Sequence, residues 1–250
     1  MRKAFPILAL ITLALLSYGA YQALGSSPNP LEPYIGKPAP SIYVPTANTA
    51  KESELSNVFR IFYYHVPSAW VAFLLFFTNF LASIAYLVKR KPGIDAFALA
   101  TAQVGVVFCT VVLVTGPIWA KPVWGIWWTW DARLTSTLVL WLIYVSYLLL
   151  RRYAAGGQTP VLAAALAIFG FVDVPLVYMS IRWFRTQHPQ PVLGGGEGSG
   201  IAPAMLHALL INFAAFLLFG ILLVWVRYTM ERLRLEIEEA HAMGAVRGTR

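Results

Sequence analysis

Six runs of roughly 20 apolar residues, each long enough to cross a hydrocarbon core about 30 Å thick at about 1.5 Å per helical residue, constrain this chain more than any other feature. They are Phe5 to Leu24, Ser68 to Val88, Ala96 to Thr115, Ala132 to Leu150, Pro160 to Ile181 and Pro203 to Val226. A backbone N–H or C=O inside lipid has no water to bond, so such runs are predicted to be helices. Hydrophobic residues make up 58% of the chain and charged residues 12%, far from a soluble balance. The expectation is an all-α polytopic membrane protein: one membrane domain over residues 1–250, built as a six-transmembrane-helix bundle with an extracytoplasmic tryptophan-rich loop. The connections are an outer Pro-rich loop at 25–57, the inner turn Lys89 to Gly93, the outer tryptophan-rich loop at 117–131, an inner turn after Arg151 and Arg152, an outer Gly-rich loop at 182–202, and a cytoplasmic tail at 227–250. The sequence shows no internal repeat.

Charge sets the orientation. Of the 19 Lys and Arg residues, twelve fall on the face that carries both termini and seven on the other, most of the latter flanking long loops. The positive-inside rule therefore puts both termini in the cytoplasm and the tryptophan loop outside, in a multi-pass protein of the cytoplasmic (inner) membrane. Met1, Arg2 and Lys3 before an apolar run resemble a secretory signal, but a run near 20 residues is long for one and reads as a retained helix. The net charge of +8 is accounted for by inner loops and tail facing anionic lipid of the bilayer, with no soluble basic domain to suggest nucleic acid. The tail, rich in Arg and Glu, reads as a solvated helix continuing the sixth span. Cys109 is the only cysteine, which excludes an internal disulfide, a C-x-x-C redox pair and a C-x-x-C-H haem attachment site.

The loop Trp124 Gly125 Ile126 Trp127 Trp128 Thr129 Trp130 Asp131 holds four of the nine tryptophans. Tryptophan favours the bilayer surface, so one reading is an aromatic belt. Four rings in eight residues closed by a carboxylate also suit a platform for a large flat apolar ligand with a polar edge. If residues 123–131 are helical, Trp124, Trp127, Trp128 and Asp131 share one stripe, with Trp130 to the side. His65, just before the second helix, and His188, in the last outer loop, face the same side. Each taken alone is a helix-end or loop histidine; together they could hold a metal from opposite sides, and an iron macrocycle is the flat ligand that would use both the imidazoles and the indoles.

Several polar residues keep two readings. Asp131 is placed to cap the fourth helix, which does not preclude a ligand role. Arg133 opposes the dipole at that helix's N-terminus and calls for an anionic neighbour. Arg60 and Arg133 suit a pair of propionate-like carboxylates or, equally, lipid headgroups. Asp173, roughly 12 Å inside the fifth span at 1.5 Å per residue, should face the bundle interior, with Pro175 loosening the backbone beside it. His207, a turn into the sixth span, is either a membrane-buried ligand or a hydrogen-bonded interhelical residue. The glycines at 194–196, 198 and 200 suit a mobile loop, whether it serves loading and release or is a plain connector.

The segment Lys121 Pro122 Val123 Trp124 Gly125 Ile126 Trp127 Trp128 Thr129 Trp130 Asp131 Ala132 Arg133 Leu134 Thr135 resembles the WWD motif of the CcmC family, haem-handling membrane proteins of cytochrome c maturation. The resemblance extends to Arg60 Ile61 Phe62 Tyr63 Tyr64 His65 Val66 Pro67, to Trp183 through His188, and to Pro203 Ala204 Met205, covering roughly residues 57 to 226. It implies a six-helix bundle holding non-covalent haem (heme b), with His65 and His188 as axial ligands. It also implies a porphyrin site of Trp124, Gly125, Trp127, Trp128, Trp130 and Asp131, with Arg60 and Arg133 at the propionates. The implied partners are the haem chaperone CcmE, an ABC-type complex of CcmA and CcmB, and the small membrane protein CcmD.

The expected function is haem binding at the outer face and transfer to the chaperone, not catalysis, because two imidazoles fill both axial positions of the iron and hinder oxygen chemistry. Four indoles burying about 150 to 250 Å² each would supply roughly 15 to 25 kcal/mol of gross apolar burial, so release rather than adhesion would limit such a carrier. Two alternatives stand: a haem lyase of the WWD superfamily, which usually has more helices and histidines, and a transport or scaffold subunit that binds no chromophore. The departures from the family pattern are a long Pro-rich first loop and the unmatched positions His207 and Asp173.

Overall fold

The computed structural model of the chain describes residues 4–26, 58, 60–154, 156–189, 191 and 203–248, with side chains as far as Gly244 in the last helix. Most of the Pro-rich loop 25–57, the glycines at 194–200 and the first three residues lie outside the described residues. The elements are α1 (Ala4–Tyr21, continued by a π-turn, Gln22–Ser26), α2 (Phe62–Lys89), α3 (Pro92–Trp124), α4 (Ala132–Tyr153), α5 (Thr159–Phe171), α6 (Asp173–Trp183) and α7 (Pro203–Gly248). No strand occurs among the described residues. Six spans are long and apolar enough to cross a membrane, the fifth being α5 and α6 together.

Local chemistry sets the element ends. Arg90 takes the left-handed conformation after α2, φ 53°, and its N–H bonds Tyr86 O at 2.8 Å. Pro92 then opens α3 at a position whose N–H would have no helical partner. Two helices run longer than their apolar stretches predict. α2 starts six residues before Ser68 because the aromatic run Phe62 to Tyr64 continues its buried face, with Tyr63 fully enclosed. α3 runs through Pro117 and Pro122 to Trp124, since each proline removes only one backbone bond and packing holds the flanking turns. Gly125 ends α3 in the left-handed region, φ 78°, donating its N–H to Lys121 O at 2.9 Å.

The fifth span breaks at Val172. The ring of Pro175 cannot bond Phe171 O and crowds it, so the helix tightens, with Val172 N–H on Phe169 O at 3.1 Å, and restarts at Asp173. α7 is one continuous helix of 46 residues, about 69 Å at 1.5 Å per residue, and so extends well past any bilayer core.

α2 packs along α3, and both pack on α7; α4 bridges α3 to α5 and α6, while α1 lies at the edge against α7. Lipid tails are as apolar as leucine, so close packing and interhelical hydrogen bonds hold such a bundle. Phe76 and Tyr144 stack at 3.9 Å between centroids in the core, and the ring of Phe76 fits only because Gly105 carries no Cβ, which would stand 2.7 Å from Phe76 Cε1. Asn212 Nδ2 donates to Gly19 O at 3.0 Å and pins α1 to α7. Asn79 Nδ2 donates to Ala98 O at 2.7 Å, and Trp141 Nε1 to Thr110 Oγ1 at 2.8 Å. Such bonds contribute roughly 0.6 kcal/mol each, rising to about 1.7.

Candidate functional site

The helix ends that gather at one end of the bundle come from distant stretches of chain: the end of α1, the start of α2, the end of α3, the start of α4 and the end of α6. Arg60 Nη1 donates to Ala23 O at 2.6 Å and ties the end of α1 to the start of α2. His65 sits in the first turn of α2, not before the helix, and its Nδ1 lies 2.8 Å from Thr115 Oγ1 on α3. Its Cε1 rests over Gly116, 3.6 Å from where a Cβ would be.

His188 follows α6. Its backbone N–H bonds Thr186 Oγ1 at 3.1 Å, and its Nδ1 lies 2.9 Å from Pro189 O. His65 is within electrostatic range of both His188 and Arg133. Burial, and then the Arg133 charge, push the His188 imidazole down to about 4, against the opposing pull of Pro189 O and Asp131. At neutral pH this ring is uncharged and has a lone pair to offer.

Asp131 and Arg133 each have a structural task. Asp131 caps α4, with Oδ1 accepting from Leu134 N–H at 3.0 Å and Oδ2 from Thr129 Oγ1 at 3.2 Å. Arg133 forms no ion pair among the described residues, although Asp131 lies within its electrostatic range. Its Nη1 donates to Val177 O at 2.8 Å and Tyr178 O at 3.3 Å, so a cation misplaced at the start of α4 is satisfied by carbonyls toward the negative end of α6. The second terminal nitrogen of Arg133 is not engaged by either bond.

The tryptophans do not form one helical stripe. Gly125 ends α3, and residues 125–130 run outside any helix, which splits the rings into pairs. Trp124 packs edge-on against Trp119 at 5.1 Å, and Trp128 against Trp130 at 5.7 Å. Lys121 stands 6.0 Å over the Trp127 ring while its Nζ donates to Gly125 O at 2.9 Å. Trp127 and Trp130 are 58% and 75% exposed, so two of the four rings present most of the free apolar surface. Trp128 Nε1 is buried with no acceptor, an orphaned donor.

An open cleft of about 380 Å³ lies between the tryptophan loop and the segment after α6, lined by Thr129, Asp131, Arg185, Thr186 and Gln187. His188, Asp131 and Arg133 therefore share one neighbourhood with the cleft, and His65 joins it through His188. Arg60 is not among the cleft residues, and Trp124 is turned toward Trp119. His207 is exposed on α7, which fits neither a core ligand nor an interhelical bond. Asp173 Oδ2 is buried without a partner, within electrostatic range of Cys109. No cluster of three or more His, Cys, Asp or Glu that could hold a bare metal ion occurs among the described residues.

Thr115, Trp119 and the cleft residues Arg185, Thr186 and Gln187 escaped sequence reasoning as site residues. Thr115 closes an apolar run and looks like a spacer there. Trp119 lies five residues outside the dense cluster, and only the continuation of α3 past Pro117 brings it to Trp124.

The family model of Heme exporter protein C, CcmC, matches residues 33–243. The chain is 32% identical over 247 residues to Heme exporter protein C of Bradyrhizobium diazoefficiens, covering 98% of this chain and 85% of that one. It is 32% identical over 235 residues to Heme exporter protein C of Haemophilus influenzae, covering 93% and 86%. Against Heme exporter protein C of Escherichia coli K12 it is 35% identical over 189 residues, covering 71% and 70%. A family match over most of the length, from the Pro-rich loop into the last helix, means that the chain belongs to the heme exporter protein C family.

Proposed function

We propose that this protein binds haem at the tryptophan end of the bundle, on the outer face of the inner membrane, through His65 and His188, and passes it to a haem chaperone. Membership of the family implies a role in haem handling for cytochrome c biogenesis, as a handling protein rather than a catalyst. It also implies membrane association with the cytochrome c maturation system. CcmE as acceptor, and CcmA, CcmB and CcmD as membrane partners, belong to the proposal.

The observation that carries this reading is that two imidazoles from segments more than a hundred residues apart both lie within electrostatic range of Arg133 at the tryptophan end. The surrounding residues fit an iron porphyrin: an uncharged His188, two exposed indoles, an orphaned indole N–H and an arginine with a nitrogen to spare. Iron porphyrin would supply a metal that His65 and His188 would hold and carboxylates for a cationic partner such as Arg133. Trp127 and Trp130 would lie against the macrocycle, and Arg133 would hold a carboxylate without leaving Val177 O.

The exposed parts of Trp127 and Trp130 amount to roughly 330 Å², or about 8 kcal/mol of gross burial at about 25 cal/mol per Å². This is well below the four-ring figure expected from the sequence. A grip of this size, before ordering costs, suits transfer better than storage.

The test is the visible spectrum of the purified protein. Wild type should carry a bis-imidazole Soret band, and His65→Ala with His188→Ala should lose it. A double variant with an unchanged spectrum would overturn the ligand assignment.

A further inference from the structure

The hydrogen bonds around His65 fix which of its nitrogens faces a ligand. Thr115 Oγ1 lies 2.7 Å from Val111 O, one helical turn back. A carbonyl oxygen can only accept, so the single hydroxyl proton of Thr115 must lie on that contact; without it two oxygens would face each other at 2.7 Å with no proton between them. The same hydroxyl oxygen lies 2.8 Å from His65 Nδ1 and has only lone pairs left to offer. The proton between them therefore sits on Nδ1, and Nε2 is left bare. His188 obeys the same rule, because Pro189 O, 2.9 Å from its Nδ1, can only accept.

We infer that Thr115 is a positioning residue that locks His65 in the Nδ1–H form with Nε2 as its iron-binding atom, and that it sets the ligand's basicity through a neutral oxygen rather than a carboxylate. The inference rests on the proposed role of His65 as a haem ligand. A second-sphere acceptor raises the electron-donating power of an imidazole, and a hydroxyl does so less than a carboxylate. With a carbonyl behind His188 as well, both ligands are neutral imidazoles of moderate strength, strong enough to hold iron and weak enough to be displaced by an incoming ligand.

Two measurements test this. In the haem-free full-length protein in nanodiscs, the ring nitrogens of ¹⁵N-labelled histidine report the tautomer directly, with the His65 signals identified by their loss in His65→Ala. A protonated Nδ1 and a bare Nε2 are expected; the reverse assignment overturns the inference.

The second compares haem-loaded Thr115→Val, which keeps the shape and removes the acceptor, with Thr115→Ser, which restores it. Thr115→Val should release haem to apomyoglobin about tenfold faster, the low end for a lost second-sphere partner. It should also show a higher reduction potential, because a less basic ligand favours ferrous iron, and Thr115→Ser should return both toward wild type. A Thr115→Val protein that matches wild type in release rate and potential overturns the inference. If His65→Ala retains the bis-imidazole spectrum, it is the ligand reading itself that fails. If His65→Ala loses that spectrum while Thr115→Val behaves as wild type, only the role of Thr115 fails.

Discussion

At the end of the bundle opposite the tryptophans, polar groups close on one another. Arg151 grips Asp95 with two nitrogens, at 2.5 and 2.6 Å, with both side chains at most 15% exposed. Arg227 donates to Gln103 Oε1 at 2.8 Å, and Arg232 and Arg234 pair with Glu236, Glu231 and Glu238 along α7. At the tryptophan end the same kinds of group are used only in part. Arg133 and Arg60 spend a nitrogen each on helix carbonyls, Trp128 N–H has no acceptor, and two histidines are each held by one nitrogen. One end pairs its charged side chains to hold the fold, while the other leaves donors and imidazole nitrogens to be completed by something that binds.

The sharpest way to break this comparison is to open the closed end. Arg151→Ala leaves Asp95 unpaired in a mostly buried position and should cost about 3 kcal/mol, read as a large drop in thermal midpoint in detergent. Haem binding in the fraction that remains folded should persist. Next in size, Gly105→Val forces a side chain into Phe76 and should cost about 2 kcal/mol through overpacking, again without changing the haem spectrum.

At the open end the order reverses. Trp127→Ala and Trp130→Ala remove rings that are mostly exposed, so melting should barely move, while each should weaken haem retention about tenfold, the scale of losing a modest interface contact. Failure of either variant to insert in the membrane would favour an aromatic belt instead.

Asp131 joins the two behaviours in one residue. Asp131→Ala should lose about 1 kcal/mol of stability with the α4 cap, whereas Asp131→Asn keeps an acceptor for Leu134 N–H and should stay within about 0.5 kcal/mol. The smallest effect near neutrality is that of pH. His188 lies below its ordinary value, so the unfolded chain binds more protons than the folded one between about pH 4 and 6.5. Its contribution to stability therefore rises with pH across that window and is flat above it. A haem spectrum constant from pH 8 to 6 and eroding only toward pH 4 is expected; loss centred near 6.5 would mean that His188 is not shielded as described.

The contrast between the two ends was legible in the sequence to different depths. The six spans, the Asp131 cap and the candidacy of His65 and His188 could be read directly, because apolar length, an Asp before a helix and rare histidines are local signals. The limits of α2 and α3 could not. Pro67, Pro117 and Pro122 mimic loop punctuation, and nothing in the sequence shows that packing tolerates them inside helices. The tryptophan stripe failed on a single glycine, since Gly125 offered the backbone a left-handed exit. The setting of Arg133 was half read: the misplaced cation was visible, but its partners are carbonyls of α6, which only the tertiary fold brings near. Thr115 was invisible for the same reason, its meaning arising from a contact fifty residues away in the chain.

The central claim, that His65 and His188 together bind one haem iron, is tested most directly by low-temperature electron paramagnetic resonance of the purified, oxidised, haem-loaded protein. Wild type should give a low-spin ferric signal from two imidazoles, replaced by a high-spin signal in His65→Ala and in His188→Ala taken singly. A low-spin bis-imidazole signal that persists in either single variant would contradict it.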